Sequence, residues 1–132
     1  MAAAVTRPLK TGAGAGLALA RRAVEACMAK KATDVVLLDL RELEAPSDFF
    51  IIVSAASEVQ VKAVADHVQD TLREESGARP WHVEGLEGRR WLLLDYIDVV
   101  VHVFHEKTRE YYLLERLWGD AKRIEIADDR PA

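Results

Sequence analysis

Cysteine, clustered histidine and long hydrophobic runs are scarce or missing in this 132-residue sequence. A single cysteine, Cys27, excludes an internal disulfide and any cysteine-based metal cluster. It makes a reducing compartment the expectation, the cytoplasm by default or an organelle interior. No apolar stretch approaches the roughly 20 residues that cross a bilayer, so no membrane partner is expected. Of the four histidines, His102 and His105 stand three apart on a strand and point to opposite faces. His67 has no His or Cys four residues away, and no metal site is expected. Neither G-x-x-x-x-G-K nor G-x-G-x-x-G occurs, and no Ser sits in a G-x-S-x-G elbow, so no cofactor or nucleophile is indicated. Gly12, Gly14 and Gly16 follow no strand and read as flexible chain before a helix.

What is present is an ordinary globular composition, 50% hydrophobic and 30% charged, at a length that fits one domain. Charge is uneven. Six of the 18 basic residues and one of the 22 acidic ones fall in residues 1–31, leaving 12 against 21 beyond, a net −9. An acidic body argues against a direct nucleic-acid site, because phosphate binding needs a basic surface. It suits a basic protein partner, or plain solubility. The start, MAAAVTRPLKTGAGAG, is basic and free of acid. It reads as a disordered basic tail over 1–16, with an organellar presequence as the alternative.

Residues 17–31 follow a helical period, with Leu17, Ala20, Val24, Cys27 and Met28 on one face, which places Cys27 in the core. The runs 35–40 and 49–53 read as buried strands, parted by a loop at Pro46. Ser57–Gln60 is a capping box, followed by Val61, Val64, Ala65, Val68 and Leu72 at helical spacing and a stop at Gly77. Residues 79–84 read as a short strand that Pro80 places at an edge. Gly85–Gly88 is a turn, and 90–95 and 99–104 are strands joined by the turn Asp95–Asp98. A helix over 107–121 closes the domain. The expected fold is α/β, a mixed five-stranded sheet flanked by helices, over residues 17–121 with a C-terminal tail at 122–132. A tight turn makes the last strands antiparallel.

The segment Trp91–Ala121 carries polar residues that a plain hairpin and helix do not need: Asp95, Asp98, His102, Arg109, Tyr112 and Glu115. Acids at strand ends, Asp39, Asp95 and Asp98, resemble a nucleotidyltransferase metal site, yet Asp is also the ordinary turn residue. Trp91, Leu93 and Asp95 share one strand face, and Leu92 and Leu94 the other. Tyr112 falls off the apolar stripe of its helix, as an interface anchor or an incidentally exposed ring.

The pieces DVVLLDL at 34–40, SDFFIIVSAAS at 47–57, VADHV at 64–68, Glu84–Gly85, WLLLDYIDVVVHVF at 91–104 and R-x-x-Y-x-L-E-x-L-W at 109–118 resemble the ribosomal silencing factor (Iojap) family. They span most of residues 17–121. The resemblance implies a nucleotidyltransferase-like sheet without catalytic residues and a non-enzyme. It implies a translation repressor that binds the large ribosomal subunit through ribosomal protein L fourteen, blocks subunit joining and lowers synthesis when nutrients are short. Organellar relatives act in large-subunit assembly. Carried over position by position, Trp91, Leu92, Tyr112, Arg109, Glu115 and Asp95 are the expected partner-binding residues. Asp98, His102 and Trp118 are the expected orienting or core residues. A nucleotidyl-transferring enzyme and a dimerising protein-interaction module with another partner are the alternatives. Two departures stand out. Ile97 takes a place where the family usually has Gly, so the turn is expected to differ, because a β-branched residue resists positive φ. Val59 replaces the family's usual Arg near the start of the second helix.

Overall fold

The structure, a computed structural model, describes residues 7–10, 14–85, 88–112 and 118–126, with residues 111 and 112 described in backbone only. In chain order the elements are α1 (Gly16–Ala29), β1 (Thr33–Asp39), β2 (Phe49–Ala55), α2 (Glu58–Ser76), β3 (His82–Glu84), β4 (Trp91–Asp95), β5 (Val99–His105), α3 (Glu106–Tyr112) and β6 (Lys122–Ile124). The strands form one six-stranded sheet in the order β3-β4-β5-β2-β1-β6. β2 and β5 run parallel, and every other neighbouring pair is antiparallel.

Local chemistry sets the boundaries. Ser57 is the N-cap of α2, its Oγ accepting the Gln60 N–H at 3.1 Å. Gln60 Oε1 reaches back to the Ala56 N–H at 2.7 Å, one residue before the partner of a standard capping box. The amide of Gln60 also donates to the carbonyls of Lys30 and Lys31, both at 3.2 Å, which ties the end of α1 to the start of α2. Gly77 closes α2 in the left-handed region at φ 67, with its N–H on the Arg73 carbonyl. β3 is the edge strand that Pro80 implied.

Strand alternation builds two cores. On one face, α1 and α2 lay Ala20, Val24, Cys27, Val61, Val64, Val68 and Leu72 over Phe49, Ile51, Val53, Leu92, Leu94, Val99, Val101 and Val103. Cys27 is fully buried there, and burial pushes its thiol up to about 12, which removes it from nucleophilic chemistry. On the other face Leu38, Leu40, Phe50, Ile52, Val100 and Phe104 form a smaller cluster, joined by the partly buried Trp91, Leu93 and Trp118.

Two expectations are corrected. The sheet has a sixth strand, β6, pairing with β1 through Leu37–Ile124, Leu38–Arg123 and Asp39–Lys122. Three residues are too few to show a period, and the neighbouring edge of β1 supplies their order. The closing helix does not run to 121: α3 is described over Glu106–Tyr112, and Trp118–Ala121 form a turn with the Ala121 N–H on the Trp118 carbonyl at 2.9 Å. β1 carries a bulge between Thr33 and Val36, with Asp34 at φ 47.

Gly85 has φ 91, and a Cβ there would meet the Trp91 carbonyl oxygen at 2.1 Å. Both the backbone conformation and the close approach require glycine. Gly85→Ala is expected to destabilise the fold by about 2 kcal/mol or more, read as a lower urea midpoint. An unchanged midpoint would show that the β3–β4 connection bears no strain.

Candidate functional site

The β4–β5 hairpin brings together most of the polar residues singled out above. Trp91 lies directly across from Phe104, and Leu93 from His102. The Trp91 and Phe104 rings stack with centroids 4.7 Å apart. The Trp91 indole N–H donates to His102 Nδ1 at 3.1 Å, the diagonal reach across a strand pair. Indole nitrogen is only a donor, so Nδ1 must be the bare nitrogen and the ring proton sits on Nε2. Among the described residues Nε2 has no hydrogen-bond partner. Phe50 meets His102 edge-on at 4.8 Å and Trp118 at 5.7 Å. His102 is 3% exposed, and burial lowers its pKa to about 4, so it is neutral at physiological pH; Asp95 opposes the shift weakly.

Asp95 ends β4 and is only 6% exposed. Its Oδ1 accepts the Ile97 N–H at 2.8 Å. Both carboxylate oxygens also receive the Arg7 guanidinium, Nε to Oδ2 at 2.7 Å and Nη2 to Oδ1 at 2.8 Å. Residues 7–10, which the sequence assigns to the basic tail, thus lie against the body, and Lys10 pairs with Asp48 at 3.1 Å. Across the turn, Tyr96 N–H reaches the Val99 carbonyl at 2.8 Å and Asp98 N–H the Tyr96 carbonyl at 2.9 Å. The second bond closes a γ-turn centred on Ile97, which sits at φ 72. Positive φ marks the strained form of this turn. The turn therefore keeps a backbone suited to glycine despite the isoleucine, contrary to expectation, because bonds on both sides hold it. The Asp98 carbonyl then accepts the N–H groups of Asp48 (2.9 Å) and Phe49 (3.0 Å), fastening the starts of β2 and β5 together.

Several expected partner contacts are relocated. Leu92 is fully buried and faces the helices, because it alternates with Trp91, so it cannot touch a partner. Asp95 is enclosed by the turn and Arg7 and offers no free carboxylate oxygen. Arg109 is 8% exposed and reaches inward: its Nη1 donates to Ser54 Oγ at 3.0 Å and to the Asp34 carbonyl at the bulge of β1. It staples α3 to the sheet. Trp118 is half-buried against Phe50. The Tyr112 side chain and all of Glu115 lie outside the described residues. Val59 is 73% exposed on α2, so the departure at that position alters surface and not core. Sequence reading passed over Leu93 and Arg7. Leu93 shares the face of Trp91 by simple alternation, whereas Arg7 stands 88 positions from Asp95 and no local signal links them.

Asp39 and Asp95 do not come together in one site. Asp39 is bound by Arg41 through Nε at 3.0 Å and Nη2 at 2.8 Å, and that guanidinium holds its pKa below the ordinary carboxylate range. Asp39 on β1 and Asp95 on β4 are three strand positions apart in the sheet, about 14 Å at roughly 4.8 Å per strand. That is too far to share a metal ion or a metal pair. Among the described residues no group of three His, Cys, Asp or Glu is placed to hold a metal.

Fold and site together define a mixed-sheet domain that presents an aromatic, partly exposed surface beside the β4–β5 hairpin. Residues 15–132 match the family model described as ribosomal silencing factor during starvation, RsfS. The chain is 45% identical over 108 residues to the ribosomal silencing factor RsfS of Halalkalibacterium halodurans, covering 82% of this chain and 92% of that one. It is 41% identical over 104 residues to RsfS of Bacillus subtilis, covering 79% and 87%. The chloroplastic protein Iojap of Zea mays is 36% identical over 99 residues, 75% of this chain and 42% of that longer one. A crystal structure of a Chromobacterium violaceum protein superposes with TM-score 0.75 at 36% identity, covering 85% and 92% of the two chains. One from Bacillus halodurans gives 0.70 at 42%, covering 83% and 96%. The chain belongs to the ribosomal silencing factor family, whose members are regulatory proteins and not enzymes.

Relieving the strained turn should stabilise the fold. Ile97→Gly is expected to add about 0.5–1 kcal/mol, the left-handed penalty less the extra entropy of glycine. A lower melting temperature for this variant would show that the Ile97 side chain matters more than its backbone. His102 sets a pH dependence. Its folded pKa, about 4, lies below the ordinary 6.5 of the unfolded chain. Between those values the unfolded state binds the extra proton, so stability is fully present above pH 6.5 and is lost as pH falls toward 4. The loss approaches about 3 kcal/mol. Urea titrations across that window should show the slope in the native chain and its flattening in His102→Gln; parallel slopes would remove His102 as the cause.

Proposed function

We propose that this chain is a repressor of translation that binds the large ribosomal subunit through ribosomal protein L fourteen and sterically blocks joining with the small subunit. Family membership supports action on the ribosome, and the names of the relatives carry the same sense. The observation that supports a binding mode is the strip formed by Trp91, Leu93 and Trp118. All three are apolar, partly exposed and on the sheet face opposite α1 and α2. Aromatic side chains held rigid by their neighbours make strong interface anchors, because little rotamer freedom is lost on docking. Trp91 is held in this way by the Phe104 ring and by His102. The acidic body, net −9 beyond residue 31, suits a basic ribosomal protein and speeds encounter with it. Of the other expected contact residues, Tyr112 and Glu115 remain part of the proposal through their place in the family motif.

The test is sedimentation with large subunits at low salt, together with the yield of joined ribosomes. The native chain should travel with the large subunit and lower that yield. Trp91→Ala, once shown to be folded by its thermal transition, should bind weaker by on the order of 2 kcal/mol, roughly 30-fold. A native chain that stays free of ribosomes and leaves joining unaffected would end this reading, and undiminished binding by Trp91→Ala would move the contact surface elsewhere.

A further inference from the structure

Arg7 is held more completely than a tail residue needs. Besides its paired bonds to Asp95, its Nη1 donates to the Pro46 carbonyl at 2.8 Å. Its Nη2 donates to Ser47 Oγ at 2.8 Å and to the Ile97 carbonyl at 2.7 Å. The acceptors come from two separate parts of the body, the loop before β2 and the β4–β5 turn. Ser47 is fully buried and Asp95 nearly so, which makes this a built recess and not a surface encounter. Every group that the body turns to the guanidinium accepts, one carboxylate, two carbonyls and a hydroxyl, and the arm's own Pro8 carbonyl adds a longer bond at 3.4 Å. Such a site rejects anions and fits the flat, five-donor fork of arginine, which a lysine ammonium cannot span.

Among its described residues, 7–10, the arm that delivers Arg7 is otherwise weakly attached. Leu9 is 89% exposed and adds no apolar anchor. The Lys10–Asp48 pair is part-exposed, and ion pairs of that kind contribute little and weaken with salt. The family match begins at residue 15, so the recess at 46, 47, 95 and 97 lies inside the shared domain and the arm lies before it. We propose that Pro46, Ser47, Asp95 and Ile97 form an arginine-binding site that Arg7 fills in cis, and that an arginine side chain of a protein partner takes its place when the arm lifts. The arm is then a competing occupant of a docking point at the end of β4 opposite Trp91. The acidic body raises the local concentration of arginine-bearing partners. This site stands on its own geometry and does not depend on the ribosomal reading.

The experiment uses the full chain carrying Arg7→Ala and the peptide acetyl-Thr-Arg-Pro-Leu-Lys-amide, which copies residues 6–10. Amide resonances of Ser47, Ile97 and Asp98 are followed by NMR. The arginine peptide should shift them saturably toward their native positions, and a peptide with lysine in the arginine position should bind weaker by at least about tenfold. The native chain, its site already filled, should respond little at the same concentration. No shift at Ile97 with the arginine peptide overturns the proposal, as does an equal response to the lysine peptide, which would reduce the effect to charge. Should Arg7→Ala not fold, Arg7→Lys keeps the charge but fills the site poorly. The arginine peptide must then displace the lysine arm, and failure to do so also overturns the proposal.

Discussion

The central strand pair, β2 and β5, is buried on both faces, and the rest of the structure follows from covering it. Every residue of β2 is buried, as are all but the last of β5. A parallel pair cannot be joined by a tight turn, so the chain must leave the sheet as α2 and return through β3 and β4. That excursion covers one face with helix. The other face has no long helix among the described residues, and its apolar cover there includes Trp118, Ala121, Leu43 and Ala45. Cover thins toward β4, where Trp91 and Leu93 stay partly exposed. The candidate binding surface is therefore the margin of the second core.

That margin is rigid because polar groups are spent on positioning it. His102 is neutral and buried, and it gives its bare nitrogen to the Trp91 indole, while Phe104 supports the same ring from across the hairpin. At the far end of the strand the Asp95 carboxylate holds the turn through the Ile97 N–H. The strained backbone at Ile97 persists because the surroundings over-determine it: three bonds within the turn, the Asp48 and Phe49 N–H groups beyond it, and the Arg7 guanidinium over it. Leaving the Asp95 carboxylate buried without that guanidinium would be costly, since a half-paired buried charge loses hydration with no full replacement.

Two of the acids that resemble a nucleotidyltransferase site, Asp39 and Asp95, are committed to structural bonds. Asp39 belongs to Arg41, and Asp95 to Arg7 and the turn. Their separation across the sheet follows from strand order, which no spacing in the sequence reveals.

Much of the fold was legible in the residues. Period 3.6 in α1 and α2, the Ser57 cap, the Gly77 stop and the alternation of β4 and β5 are local properties, and the elements form where those signals lie. The family motifs were legible for the same reason, as fixed residues at fixed spacing. Tertiary structure alone decided the rest. Leu92 turned inward because the helices lie on that face, and β6 formed because β1 offered an unpaired edge. Arg109 turned from a contact candidate into a staple because the bulge at Asp34 and the Ser54 hydroxyl lie beneath it. Arg7 found Asp95 across 88 positions of chain. The sequence by itself determined α1, α2 and the strands β1 to β5 and which family they spell, since those depend on neighbours a few residues apart. Which faces are covered, which charges are enclosed and which apolar side chains remain at the surface depended on contacts between distant segments, and only the folded chain set them.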